Sequence, residues 1–333
     1  MNKMCYTKQN KKAGNSILWL RILISLLLMG ILVFTADPVK IKQSLLNFRQ
    51  LSLIPVFSLI ALSMFISALK WKVLLDAQKN RIGLLTLFRI YVTSLFFNNF
   101  LPSSIGGDGM RIYLAGRYCG SISSAASSVV VERAIATVSL SMLGLSGFLF
   151  AEKISMPALW LLVFVLVAGM IVTFIILTGW TPGFIKKRGG RISDAWLSFS
   201  ETSGELKNKP AALIVTLILS LVFQVNVAMV AASVIWGIGL PVPHAADMFF
   251  ITSASSVLAM VPAGINGYGL RESAYIILLM PYGFTTSSAL TVSVLFALFV
   301  SVFSLAGGVD WMLSSREYSN PAETGRLEYE DAC

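Results

Sequence analysis

Two stretches of this 333-residue chain repeat the same residue types at the same spacing. Pro102–Arg111 reads PSSIGGDGMR and Pro262–Arg271 reads PAGINGYGLR; at an offset of 160 they agree at Pro, Ile, two Gly and the final Arg. Each residue type has a physical use. Pro102 and Pro262 stop an incoming helix, because proline removes a donor and restricts the residue before it. Gly107, Gly109, Gly267 and Gly269 permit tight turns and a close approach of backbone to a neighbour or ligand. The segment then opens a new helix, whose first N–H groups are unpaired and partly positive. Arg111 and Arg271 fall in that first turn, where a cation is not the choice the dipole favours. An arginine beside free N–H groups suits a phosphate or another anion. The competing reading is that each arginine pairs with a carboxylate and pins its loop, with Asp108, Glu132 and Glu272 available. Residue types alone leave both open. Glu132 and Arg133 add a second charged pair inside the apolar run VVVERAIATVSL. Buried ions in a membrane are costly and pair or line a pathway. Neighbours on a helix diverge by about 100°, so these two should serve different partners.

The elements that must carry these residues are apolar helices. The chain is 56% hydrophobic and 13% charged, and its apolar residues come in runs of about 20, the length that spans a bilayer core. Candidate spans are 17–36, 51–69, 122–150, 157–179, 211–237 and 286–313. The first is longer than the apolar core of a signal peptide, and no small-residue cleavage site follows it in FTADPVKIK, so it reads as a retained span.

Charge sets the topology. Lys3, Lys8, Lys11 and Lys12 precede the first span. Lys70, Lys72, Lys79, Arg81 and Arg89 follow the second. Lys186, Lys187, Arg188, Arg191, Lys207 and Lys209 lie between 179 and 211. These clusters hold 15 of the 26 basic residues and should all be cytoplasmic. Span 157–179 must then end inside, so 122–150 starts inside, and everything between Arg81 and Ser121 enters the membrane and returns. The same count makes 248–282 enter from outside and return there, with both termini cytoplasmic. Lys40, Lys42 and Arg49 run against this pattern, and VKIKQSLLNFRQL reads as an interfacial amphipathic helix that tolerates them.

Each half thus holds span, span, re-entrant hairpin and span. Three crossings per half is odd, so the halves have opposite orientation. An inverted repeat of this kind is the architecture of many secondary transporters. The expected architecture is all-α, with six full spans and two re-entrant helical hairpins in a multi-pass protein of the cytoplasmic membrane. Its parts are a basic tail at 1–16, repeats at 17–150 and 157–313, and a polar tail at 314–333. Irregular chain at membrane depth survives only inside protein or beside a wet cavity, so both hairpin tips should meet a polar interior.

Other residues argue against other chemistries. Basic residues gathered between spans point to anionic lipid rather than nucleic acid. Cys5, Cys119 and Cys333 have no metal or redox spacing, and His244 is the only histidine, so no zinc, haem or other cofactor is expected. His244 reads as a loop or capping residue, and Asp310 as a structural charge near a span end. Gln224 and Asn226 read as residues that join helices. No nucleotide-binding motif occurs, so energy would come from an ion or lipid gradient.

NNFLPSSIGGDGMR, the Glu132–Arg133 pair and VPAGINGYGLRE together resemble the flippase-like family. It is also known as the lysylphosphatidylglycerol synthase transmembrane family, the membrane half of multiple peptide resistance proteins. The resemblance spans about residues 15–315 and implies movement of lipids, anionic or aminoacylated, between leaflets. Membrane lipids, anionic phospholipid above all, are the implied partners, with a second copy or envelope-synthesis proteins as further candidates. Larger members carry a soluble aminoacyl-transferase domain. This sequence ends at Cys333, so that domain and its enzyme activity are expected to be absent. An integral-membrane transferase and a small-solute or ion transporter are the alternatives. A transferase would need a carboxylate or histidine cluster in a loop, and none is seen.

Overall fold

The structure is a computed structural model describing residues 43, 46–100, 106–153, 155–181, 190–261 and 269–314. The first expected span, both tails, Cys5, Cys333, Pro102, Pro262, Gly267 and most of the expected interfacial helix lie outside these residues. Ten α-helices follow in order: α1 Leu53–Ala77, α2 Leu84–Phe100, α3 Gly106–Cys119, α4 Ile122–Phe148, α5 Met156–Leu177, α6 Arg191–Lys207, α7 Pro210–Gly237, α8 Ala245–Met260, α9 Leu270–Leu279 and α10 Thr286–Ser314. The described residues contain no strand. Helices α1, α4, α5, α7 and α10 are long and apolar enough to cross a bilayer, and they coincide with five of the six expected spans. The pairs α2–α3 and α8–α9 occupy the expected hairpin positions.

The repeat is visible in the packing. Helices α1 and α7 make the most extensive contact in the molecule. Around them, α2 packs on α3 as α8 packs on α9, and α3 on α4 as α9 on α10. The halves also exchange arms: α2 of the first lies against α10 of the second, and α8 of the second against α4 of the first. Both exchanges rest on a glycine. A Cβ on Gly147 would lie 2.5 Å from the Ala246 carbonyl oxygen, and one on Gly307 would overlap the Val92 carbonyl. Small residues allow this approach in a membrane, where apolar area alone does not draw helices together.

Two polar ties close the exchanged arms at opposite ends. Arg89 of α2 donates through Nε to Asp310 of α10 at 2.8 Å, and Thr93 donates to the other carboxylate oxygen at 3.2 Å. Asp247, buried in the first turn of α8, accepts the Glu152 N–H at 3.0 Å and the Tyr282 hydroxyl. Burial and that bond to Asp247 push the Tyr282 phenol well up. Asp310 is therefore tied to a partner helix rather than standing alone near a span end.

Three expectations change. Lys70 and Lys72 do not lie in a loop, because α1 continues to Ala77; lysine and tryptophan suit a helix, and Lys70 finds a partner inside the protein. Arg89 likewise lies within α2. The third basic loop contains an amphipathic helix, α6, which turns Leu206 and Ser203 inward and bonds Ser200 to the Gly179 carbonyl at 2.5 Å. Asn226 joins helices as expected, donating to Leu59 O at 2.7 Å and Ser63 Oγ at 2.6 Å on α1. His244 occupies the position before α8 without a side-chain cap, 3.3 Å from Glu152. Burial pushes the free Cys119 thiol up to about 11, which keeps it protonated and slow to react.

Candidate functional site

The first glycine stretch is helical from Gly106, so Arg111 sits in the second turn of α3 and not in the first as expected. Gly107 is where the chain needs glycine: a Cβ there would lie 2.6 Å from Ser94 O on α2. Gly109 meets nothing within 4 Å. The close fit at Gly107 draws α3 onto α2 and turns the Arg111 side chain into the bundle.

There Arg111 is 1% exposed and clamped. Its guanidinium lies 4.3 Å from the Trp71 ring centre and 4.1 Å from that of Tyr91. Nη2 donates to Glu132 Oε2, and Nη1 donates to the Tyr91 hydroxyl at 3.2 Å. Lys70 Nζ lies 3.0 Å from the other Glu132 oxygen, which also accepts from Tyr91 at 3.2 Å. Trp71 is fixed in turn by its indole N–H, which donates to Ser128 at 2.9 Å. Arg133 points elsewhere and makes a two-pronged contact with Asp108 at 2.8 and 3.0 Å. The neighbours Glu132 and Arg133 thus serve different partners, as their helical divergence requires. Asp108 also lies 3.5 Å from Arg111. Three cations and two carboxylates make up the group, so it carries one excess positive charge.

The second site has the same motif and other surroundings. Gly269 adopts φ +89°, in the left-handed region that favours glycine. The helix α9 then starts at Leu270, with Arg271 in its first turn as expected. Glu272 is fully buried and reaches back to accept the Gly269 N–H at 2.6 Å, while Ser293 donates to its other oxygen at 3.3 Å. Arg271 Nη2 stands 3.5 Å from that same oxygen, with its side chain 20% exposed. The helix facing it, α10, has no acidic residue before Asp310.

Arg271 lines a cavity of about 300 Å³ at the centre of the bundle. The wall takes Ser63 and Met64 from α1, Gln224 from α7, Ser256 from α8 and Phe296 from α10, with Tyr275 one turn beyond Arg271 on α9. Gln224, read from sequence as a helix-joining residue, belongs to this wall. Phe223 also lines the cavity, and Lys70 Nζ lies 4.8 Å from its ring centre. One aromatic ring thus separates the cavity from the Arg111 group.

Of the residues singled out by sequence, Arg111, Glu132, Arg133 and Asp108 come together at one place and Arg271, Glu272 and Gly269 at another. Lys70, Trp71, Tyr91 and Gln224 were not anticipated. Lys70 had a signal: Ser63, Ser67, Lys70 and Leu74 follow one another at helical spacing on the buried face of α1. Trp71 and Tyr91 had none, since their sandwich exists only once α1 and α2 meet. Among the described residues no group of three potential metal ligands occurs.

The family model described as Lysylphosphatidylglycerol synthase TM region matches residues 18–308. No curated protein matches the chain.

Proposed function

Because the chain belongs to that transmembrane family, we propose that it carries phospholipid headgroups across the cytoplasmic membrane without altering them. Family membership supports work on membrane lipids. The observation that carries the finer reading is Arg271, a guanidinium on a helix N-terminus lining a central cavity whose opposite helix offers it no carboxylate. A phosphate in the bilayer core is as costly as any other charge. Paired with Arg271 it is neutralised, and the guanidinium fork can hold two of its oxygens at once.

The tails stay in lipid. An apolar hollow of about 340 Å³ between α4, α5 and α7 includes Leu213 and Leu217. Leu217 and Gln224 are seven residues apart on one face of α7, about 10 Å along the axis. A headgroup at Gln224 and Arg271 therefore leaves acyl chains within reach of that hollow.

In this reading the protein crosses the membrane six times, counting 17–36, and α2–α3 and α8–α9 are re-entrant hairpins entered from the inside and the outside. Both termini face the cytoplasm. On a cysteine-free background, Arg81→Cys should react with an impermeant thiol reagent only from the cytoplasmic side, and His244→Cys only from the outside. Reaction of both from one face would refute the arrangement.

Transfer itself is tested in proteoliposomes of the purified full chain, with a leaflet-resolved assay of labelled phosphatidylglycerol. Wild type should equilibrate the lipid between leaflets. Arg271→Lys, which keeps the charge but loses the planar fork, should slow it while expression and melting stay close to wild type. Wild-type transfer no faster than in empty vesicles sinks the proposal.

A further inference from the structure

The charge around the central cavity says which headgroup it accepts. Among the described residues, Arg271 is the only charged residue on its wall. The nearest carboxylate, Glu272, is fully buried and already holds the Gly269 N–H and the Ser293 hydroxyl. Behind the wall, Lys70 sits over the ring of Phe223, so a second cation lies just past the first layer of side chains. The remaining polar groups are neutral: the hydroxyls of Ser63, Ser256 and Tyr275 and the amide of Gln224.

An ammonium group entering this space would meet two cations and no available carboxylate. Rings of Phe223, Tyr275 and Phe296 could attract it, but Lys70 already occupies one face of Phe223. A ring quadrupole is also a weaker partner than a full opposite charge. A phosphate meets the reverse situation, and a hydroxylated remainder finds neutral donors and acceptors. The volume of about 300 Å³ is at the lower end of ligand pockets, which suits a small headgroup and excludes one built of several sugars.

We propose that the cavity selects a phospholipid whose headgroup is a phosphate diester with a small, uncharged, hydroxylated remainder, and rejects headgroups that carry an ammonium group, aminoacylated ones included. This rests on the translocation reading above for its purpose, but its test does not. A like charge held against an unshielded cation weakens binding steeply, and discrimination comes as much from that repulsion as from the good contact.

The test is equilibrium competition on the purified full chain in detergent, with a fluorescent phosphatidylglycerol as tracer. The competitors are dioctanoyl phosphatidylglycerol, its lysyl ester and glycerol phosphate. The lysyl ester should bind at least about tenfold more weakly than the parent lipid, and glycerol phosphate more weakly still. Arg271→Gln should erase the difference between the two lipids. Gln224→Glu places a carboxylate on the wall and should weaken the parent lipid while improving the lysyl ester. Equal or tighter binding of the lysyl ester by wild type overturns the proposal. Glycerol phosphate competing as well as the lipid also overturns it, since the ligand would then be a soluble phosphate. Selective binding without transfer in proteoliposomes would remove the translocation reading and leave this one intact.

Discussion

Arg111 and Arg271 stand at the same position of one repeated motif and live in opposite surroundings. Arg111 is held between two aromatic rings, bonded to a buried glutamate and closed off from water. Arg271 is a fifth exposed and opens onto a cavity. The motif supplies the backbone in both cases, and the helices across from it decide the outcome. Helix α4 brings Glu132, α1 brings Lys70 and Trp71, and α2 brings Tyr91. In the second half, Val230, Ala231 and Ile251 stand at the 160-residue counterparts of Lys70, Trp71 and Tyr91. On α10, Val292 and Phe296 cover the region that answers Glu132. Where the first half fills its interior with a charged clasp, the second leaves space. A duplicated loop has become a lock on one side and a port on the other.

The largest expected effect tests the lock. Glu132→Gln leaves Arg111 and Lys70 buried beside a neutral amide, and breaking a buried pair from one side costs about 3–5 kcal/mol. Thermal unfolding in detergent measures it, and a melting temperature equal to wild type would mean that the cluster is wet. Next come the two glycines on which the exchanged arms rest. Gly147→Ala and Gly307→Ala each force a methyl into backbone, at a cost of about 1–3 kcal/mol. Similar losses of stability are expected for both, and an effect at only one would show that the halves are not mechanically equivalent.

The matched lysine substitutions separate lock from port directly. Arg111→Lys loses ring stacking and the fork together, so it should lower stability by about 1–2 kcal/mol. Arg271→Lys should stay within about 0.5 kcal/mol of wild type and show its effect in lipid transfer instead. The same melting shift in both variants would erase the distinction. The smallest effect belongs to the rim of the lock. Asp108 and Arg133 are 25% and 56% exposed, and an exposed pair contributes about 0.2–1 kcal/mol. Asp108→Asn should therefore move the melting temperature little, and a loss as large as that of Glu132→Gln would place Asp108 inside the clasp.

Much of the fold was legible because membrane helices announce themselves by length and because charge asymmetry orders them. The repeated glycine motif supplied the symmetry. Charge counting also produced the clearest error, since it treats every lysine and arginine as a loop residue. Lys70 and Arg89 are helical and bound to carboxylates on other helices, information that resides at Glu132 and Asp310. Gln224 and Asn226 show another limit. Two residues apart on one helix, they face directions about 200° apart, so Asn226 meets α1 while Gln224 meets the cavity. Local sequence gives both the same polarity and says nothing of which neighbour each will have. Likewise the motif placed both arginines at helix starts, and the close fit at Gly107 against Ser94 moved the first start upstream.

The exchange of arms also sets a schedule for synthesis. Arg89 and Thr93 find their partner at Asp310, and 221 positions separate the arginine from it. At about 5–20 residues per second, the ribosome needs on the order of 10–40 s to cover that distance. For that time the first hairpin is in the membrane with its tie unmade, its Gly307 counterpart still untranslated. Helix α4 is ready to receive α8 as soon as α8 emerges, whereas α2 waits for the last helix of all. The N-terminal half is thus born as an incomplete object, and the final helix acts as the closing step of assembly.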